Sequence, residues 1–317
     1  DDVFPYAVTY FRIYMIGMFF SVCFNSAISI LRGLGDSTTQ LYFLISANII
    51  NGILSYVFLG VYHYGVASSA WASVISQFLA CLCIFSFIYY KGGFLKGIEK
   101  ERKNKKSFNI YFNKDFLKHI ISIGLPTGIQ QSVVSLTQIL ILSLVVGFGT
   151  QATAAYSSAM RIESIALLLI LNTSQSLTSF VGSNFGARDM IRVRKGLFSS
   201  FKICAIISIV TMIVFCLFGN SLMSLFTKDA EVIRIGKEYL MVSGLFWFLF
   251  SVMMMFTAFF RGVGYSFIPM LISIFTLLIV RFPVAHYLSL SFNTLGIWLS
   301  APIAWTLGII ISYIYYK

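Results

Sequence analysis

The amino-acid sequence predicts an all-α polytopic membrane protein with nine transmembrane helices. Hydrophobic residues make up 58% of the chain and charged residues only 11%, whereas a soluble domain has about 25% charged residues. A bilayer core about 30 Å thick needs roughly 20 apolar residues for each helical crossing. Stretches of that length and composition occur in the sequence at residues 10–31, 41–61, 66–90, 119–149, 152–180, 197–218, 239–260, 266–290 and 295–316.

Basic residues are concentrated in alternate turns between these spans, which is typical of the cytoplasmic turns of a membrane protein. The turn at residues 91–118 is rich in Lys and Arg, and the turns that contain Arg32, residues 188–195 and Arg261 belong to the same alternate set. We therefore predict that these turns lie in the cytoplasm and that the chain starts outside. The net charge of +12 is explained by topology, so nucleic acid is not an expected partner.

The first and the last third of the sequence repeat each other. An apolar span ends in Arg-Gly-x-Gly at Arg32 and again at Arg261, and Gly65-Val-Ala-Ser-Ser-Ala70 matches Gly296-Ile-Trp-Leu-Ser-Ala301. Spans one to three would then correspond to spans seven to nine. The simplest parent protein has six plus six helices in two lobes. A parallel repeat of this kind favours an alternating-access transporter with its site near the midplane.

This repeat leads to a prediction of three regions. Residues 1–90 would be the remnant of an N-terminal lobe with three helices, and its first three helices would be missing from this chain. Residues 91–118 would form a basic cytoplasmic linker, and residues 119–317 a C-terminal lobe of six helices.

Four short motifs resemble the multidrug and toxic compound extrusion (MATE) family. In chain order they are Leu31-Arg-Gly-Leu-Gly-Asp36, Ile123-Gly-Leu-Pro126, Val181-Gly-Ser-Asn-Phe-Gly-Ala187 and Arg281-Phe-Pro283. The resemblance implies secondary active efflux of amphipathic or cationic drugs and toxins in exchange for H⁺ or Na⁺. It also implies a bacterial cytoplasmic membrane protein without a cofactor or a metal, monomeric when complete.

The sequence also departs from the family pattern. Ser183 stands where family members usually have Gln. Some branches have a Glu in the helix after the Gly-x-Pro motif and an Asp in the tenth helix, and together these form a cation site. Neither residues 126–135 nor residues 246–260 contain an acid, so this cation site cannot be transferred to the chain.

Glu163 is the only carboxylate well inside a predicted span. An ionised side chain there costs at least about 2.5–3.5 kcal/mol, so it should face a cavity or a partner. Tyr156 and Met160 share its helical face. In one interpretation Glu163 is a site for a proton, a cation or a cationic substrate. In the other it is a structural acid bonded to a neighbouring helix or to Arg281.

Neutral polar side chains form two further groups of candidate substrate-binding or ion-binding residues. Helical spacing places Gln131, Ser135 and Gln138 on one face of the fourth span, and Asn48 and Asn51 share a face of the second. Amides of this kind can coordinate a substrate, and they can equally join helices by hydrogen bonds worth about 0.6–2 kcal/mol. Cavity lining is the preferred interpretation for the glutamines, and helix packing for the asparagines.

Glycine, proline and arginine residues predict turns and hinges. Glycine adopts left-handed backbone angles after a helix end at little cost, so each Arg-Gly-x-Gly permits a sharp reversal. Proline bends a helix and frees a carbonyl, which Arg281 could satisfy near Pro283. The predicted structural or hinge residues are Arg32, Gly33, Gly35, Pro126, Arg261, Gly262, Gly264, Arg281 and Pro283.

Other functional classes have little support in the sequence. The cysteines and histidines are scattered, without the spacing of a catalytic or metal site, so we do not expect an enzyme. The alternative function is a lipid-linked oligosaccharide or lipid II flippase of the same superfamily. Diphosphate head groups favour several cavity arginines, and only Arg161 and Arg281 lie deep in the spans, besides Arg12 near the start of the first.

Overall fold

The computed structural model describes residues 4–33, 35–62, 65–90 and 114–317. Within these ranges all regular secondary structure is helical, which confirms the predicted fold class. Two π-helical stretches, Tyr56–Val61 and Ile274–Arg281, extend the helices that precede them. The helices are α1 Phe4–Gly33, α2 Ser37–Ser55, α3 Val66–Tyr90, α4 Lys114–Val146, α5 Thr150–Gly186, α6 Met190–Ser224, α7 Ala230–Val263, α8 Phe267–Ser273 and α9 Phe282–Tyr316.

Eight helical segments of the described chain are long and apolar enough to cross a membrane, whereas the sequence predicts nine spans. The difference arises in the last segment, Phe267–Tyr316, which has 50 residues and would extend roughly 75 Å as one straight helix. Asn293 interrupts it with φ 51° and ψ −136°. Beyond this residue, a Cβ on Gly296 would collide with the backbone of Leu288. The chain therefore folds back at Asn293, and the predicted spans eight and nine lie on either side.

Pro283 explains the π-helical stretch before α9. Proline lacks the amide hydrogen that a regular helical turn requires, and its ring clashes with the carbonyl one turn earlier. Wider π-type turns absorb such a defect. The stretch Ile274–Arg281 ends just before Pro283, so the proline is accommodated without a break between α8 and α9.

The chain divides into two compact units, Asp1–Tyr111 and Phe112–Lys317. In the first unit α1 packs against α3, and its core includes Phe24 and Ile28 from α1 and Ile84 from α3. Residues 91–113 of the predicted linker lie outside the described residues, and α4 begins at Lys114. The assignment of residues 1–90 and 119–317 to two transporter lobes stays a prediction.

In the second unit α7 is the central helix, because α5, α6 and α9 all pack against it. Gly244 permits the close approach of α6, since a Cβ there would lie 3.1 Å from Phe215 Cβ. Small residues at such crossings bring helix backbones together in membranes. Trp247 and Leu240 of α7 are almost fully buried. This packing fixes the face that α7 presents to α5, where the candidate site lies.

Candidate functional site

Glu163 of α5 is held by two hydroxyl groups of α7. Tyr239 Oη donates a hydrogen bond to Glu163 Oε2, and Ser243 Oγ donates to Glu163 Oε1 over 2.8 Å. Residues four apart lie on the same helical face, so one side of α7 provides both donors. Both carboxylate oxygens therefore have a partner, and the partly buried acid is fixed between two helices.

Three aromatic rings form the wall beside this carboxylate. Tyr156 stacks on Trp298 with ring centroids 5.4 Å apart. Tyr239 meets both rings edge-on, at 5.5 Å from Tyr156 and 4.9 Å from Trp298. All three side chains are at most 8% exposed. The hydrogen bonds to Glu163 are thus shielded from water on this side, which strengthens them electrostatically.

Two buried nitrogen atoms lie at this cluster without a hydrogen-bond partner among the described residues. They are Nε of Arg281 and Nε1 of Trp298. The charge of Arg281 acts on Glu163, Tyr156 and Tyr239, so it belongs to the same cluster. An unpaired buried donor costs about 1–3 kcal/mol.

These contacts bear on both interpretations of Glu163. A bond to a neighbouring helix is present, because Tyr239 and Ser243 belong to α7. Glu163 forms no ion pair with Arg281 in the described part of the chain. Nor does Arg281 donate to a carbonyl freed by Pro283 among those residues. The prediction that Arg281 satisfies the carbonyl freed by Pro283 was therefore wrong.

The predicted polar face of α4 lies apart from this cluster. Gln131, Ser135 and Gln138 are exposed and form no hydrogen bond within the described ranges. A groove of about 450 Å³ runs along α4 between Gly124 and Leu136, but its lining does not include these three residues. The structure therefore does not bring them together with Glu163. Pro126 lies inside α4, within the stretch that the groove follows.

The two asparagines of the first unit have different surroundings. Asn51 Nδ2 lies 3.0 Å from Ser76 Oγ and 3.3 Å from Ser73 Oγ, so it joins α2 to α3. Asn48 is exposed and bonds only to the carbonyl of Leu44 in its own helix. The packing interpretation accounts for Asn51 but not for Asn48.

The glycines of the two Arg-Gly-x-Gly motifs have distinct geometries. Gly35 and Gly264 have φ values of 83° and 95°, a left-handed conformation that favours glycine. Gly262 lies against α5, since a Cβ there would be 2.7 Å from Val181 Cβ and 2.8 Å from Thr178 O. At Gly33, by contrast, a Cβ would meet nothing. The second motif is therefore also a helix contact, which the sequence did not indicate.

Sequence reasoning found Glu163 and Tyr156 but missed Tyr239, Ser243 and Trp298. One signal for Trp298 was available, because the repeat has Ala67 at the matching position of the first copy. The second copy therefore has a large aromatic side chain where the first copy has only a methyl group, which indicates a contact that the first copy lacks. The hydroxyls on α7 gave no such signal, since no regular polar face continues from Tyr239 through Ser243 into the apolar stretch that follows.

The chemistry of the cluster suits a proton better than a metal ion. Apart from the carboxylate and two hydroxyls, the neighbours of Glu163 are aromatic rings, the sulfur of Met160 and the cationic Arg281. Hard metal ions require several oxygen ligands. Within the described residues no group of three or more His, Cys, Asp or Glu side chains could hold a metal ion.

Comparisons with known proteins agree with this architecture. The family model described as MatE matches residues 1–57 and 126–287. The probable multidrug resistance protein YoeA of Bacillus subtilis (strain 168) is 28% identical over 329 residues, which cover 100% of this chain and 69% of that protein. YpnP of the same organism, also described as a probable multidrug resistance protein, is 24% identical over 318 residues with the same coverage.

A solved structure shows the same fold. The crystal structure described as MATE in the straight conformation superposes with a TM-score of 0.87 and 22% sequence identity. The match covers 98% of this chain and 68% of that chain. At this identity the likeness concerns the fold alone.

Proposed function

This chain belongs to the MatE family, and we propose that it acts as a secondary active efflux antiporter driven by proton entry. In this proposal the transporter exports amphipathic or cationic compounds by alternating access, and Glu163 exchanges the coupling proton. The names of the similar multidrug resistance proteins support drug export over the flippase alternative. The bacterial origin of these relatives supports a location in the bacterial cytoplasmic membrane, and we propose a monomer as the working state.

The observation that supports this function best is the environment of Glu163. Among the described residues, the other acids lie in turns, at helix caps or in the first turns of helices, except for Glu238, which lies beside Arg234 in the third turn of α7. Glu163 lies well inside α5. Its carboxylate is held on α7 by Tyr239 and Ser243. A carboxylate in this position can hold a proton in one state and release it in another.

The neighbours of Glu163 support the choice of H⁺ over Na⁺ in this proposal. Both of its oxygens accept hydrogen bonds from hydroxyl groups of α7, and the nearby guanidinium of Arg281 would repel a metal ion. One net charge that crosses 100 mV contributes about 2.3 kcal/mol, which is enough for roughly fifty-fold accumulation when one proton is exchanged for an uncharged amphipathic compound, whereas export of a monovalent cation is driven by the pH gradient. A single proton site could therefore drive useful export.

Substitution of Glu163 tests this proposal. Glu163→Gln keeps the shape and removes the titratable group, so proton-driven export of a fluorescent cation such as ethidium should fall to background at normal membrane expression. Glu238→Gln is a matched control, because that acid lies near the start of α7 and outside the aromatic cluster. Wild-type export by Glu163→Gln, with unchanged dependence on pH, would contradict the proposal. Export that follows a sodium gradient instead would show that Na⁺ is the coupling ion.

A further inference from the structure

The two Arg-Gly-x-Gly motifs form different hydrogen bonds although their sequences repeat. In the first copy Arg32 Nε donates to Gln40 Oε1 over 3.2 Å, within the same corner between α1 and α2. In the second copy Arg261 Nη2 donates to Gln130 Oε1 over 2.6 Å. Gln130 belongs to α4, far away in sequence. The second arginine is therefore bonded to a separate helix.

The repeat shows why the second bond differs. Alignment of Arg32 with Arg261 places Pro269 at the position of Gln40. Proline has neither an amide side chain nor a backbone donor, so the local partner of the arginine is absent from the second copy. The buried amide of Gln130, only 4% exposed, takes its place from α4.

Gln130 also bonds beyond the arginine. Its Nε2 donates to Ser273 Oγ over 2.7 Å, and Ser273 is the last residue of α8. One side chain therefore joins α4 to the end of α7 and to α8. The oxygen and the nitrogen of the Gln130 amide thus both form hydrogen bonds. The arginine can only donate, so the atom that faces it must be the amide oxygen.

Gln130 lies at the point along α4 where the buried part of the helix begins. The buried residues of α4 start at Gln130 and continue with Val133, Thr137, Ile141 and Val145. Between Lys114 and Ile129 no residue is buried. Gln130 is thus the first buried residue of α4, and it follows the helix breakers Pro126 and Gly128.

We propose that Gln130 is a positioning residue of the transport cycle, which fastens α4 to the corner between α7 and α8 through Arg261 and Ser273. The α4 segment around Pro126 and the α7–α8 corner then move as one body. This role is separate from the exchange of the coupling proton at Glu163, and it assumes only that the protein transports.

The simpler alternative is that Gln130 only satisfies a buried arginine. A variant that restores the local partner of the first copy distinguishes the two roles. Gln130→Leu removes the bond, and Gln130→Leu combined with Pro269→Gln returns an amide to the corner without a link to α4. Gln130→Glu keeps an acceptor for Arg261 on α4. Gln40→Leu removes only the local bond of the first copy and is the matched control.

Two readouts are needed for each variant. The first is the transport rate at equal membrane expression. The second is the distance distribution between spin labels at Leu125 of α4 and Tyr265 of the corner, which are 61% and 63% exposed. The distances in the resting protein do not depend on which compound is exported, so this readout remains decisive if the proposed efflux activity is wrong.

We expect Gln130→Leu to reduce transport by about tenfold or more, as for the loss of a charge-assisted hydrogen bond, and to broaden the distance distribution. Adding Pro269→Gln should restore neither readout, whereas Gln130→Glu should keep a narrow distribution and Gln40→Leu should resemble the wild type. Recovery of both readouts by Pro269→Gln would overturn the proposal, because pairing the arginine would then suffice. Wild-type behaviour of Gln130→Leu would overturn it as well. If Gln130→Leu does not reach the membrane, a broad distribution in Gln130→Glu would contradict it.

Discussion

Ser243 Oγ donates a hydrogen bond to Glu163 Oε1 over 2.8 Å, so the acid inside α5 is tied to α7. Tyr239, one turn earlier on α7, binds the other oxygen. The coupling site that we propose is therefore shared by two helices, and a change in the charge of Glu163 alters the attraction between them.

Ser243→Ala leaves Glu163 Oε1 without its hydroxyl donor. We expect a loss of about 1–3 kcal/mol of stability, since the substitution leaves a partly buried carboxyl oxygen without its partner. Thermal unfolding of the detergent-solubilised protein measures the loss. Ser164→Ala is the control, because Ser164 bonds only to the carbonyl of Arg161 in its own helix. Equal unfolding temperatures for the two variants would show that Ser243 does not hold the carboxylate.

Trp298→Phe tests the unpaired donor of the aromatic cluster. Phenylalanine keeps a ring against Tyr156 but removes the buried Nε1 that lacks a partner. We expect this variant to lose less than half of the stability lost by Trp298→Ala, which should cost about 3–5 kcal/mol. Denaturant unfolding in detergent compares the two. Equal losses of stability in Trp298→Phe and Trp298→Ala would show that Nε1 has a partner on which stability depends.

Gly262→Ala tests the contact between the second Arg-Gly-x-Gly motif and α5. The added Cβ would lie 2.8 Å from the carbonyl oxygen of Thr178, and overpacking of this kind costs about 1–3 kcal/mol. Gly33→Ala is the matched control at the repeat-related position, where a Cβ meets nothing. Thermal unfolding should separate the two variants, and similar melting temperatures would contradict the close approach.

Asn51→Leu tests helix packing in the first unit. The substitution removes the bonds from α2 to Ser73 and Ser76 of α3, and we expect a loss of about 0.6–2 kcal/mol. Asn48→Leu should change stability less, because Asn48 bonds only within α2. Proteolysis rates of the membrane-embedded protein measure the loss of stability in both variants. A larger effect of Asn48→Leu would indicate that Asn48 has the more important role.

The membrane fold and one side of the site were predictable from the sequence, for physical reasons. Apolar length determines a membrane crossing, and the cost of a buried charge draws attention to Glu163. The partners of Glu163 were not predictable, because α7 is apolar on almost every face and its orientation depends on packing at Gly244. The bond between Gln130 and Arg261 was also missed, since it joins residues far apart in sequence whose connection no local pattern indicates.

The most direct test of the proposed function is proton release during substrate binding. Purified protein in weakly buffered detergent solution is mixed with a cationic substrate, and a pH indicator records the protons released. We expect about one proton for each bound cation in the wild type and in Glu238→Gln, because the cation displaces the proton of Glu163. Glu163→Gln should release none while its fold, followed by thermal unfolding, stays intact. Undiminished proton release by Glu163→Gln would contradict the account and place the coupling site elsewhere.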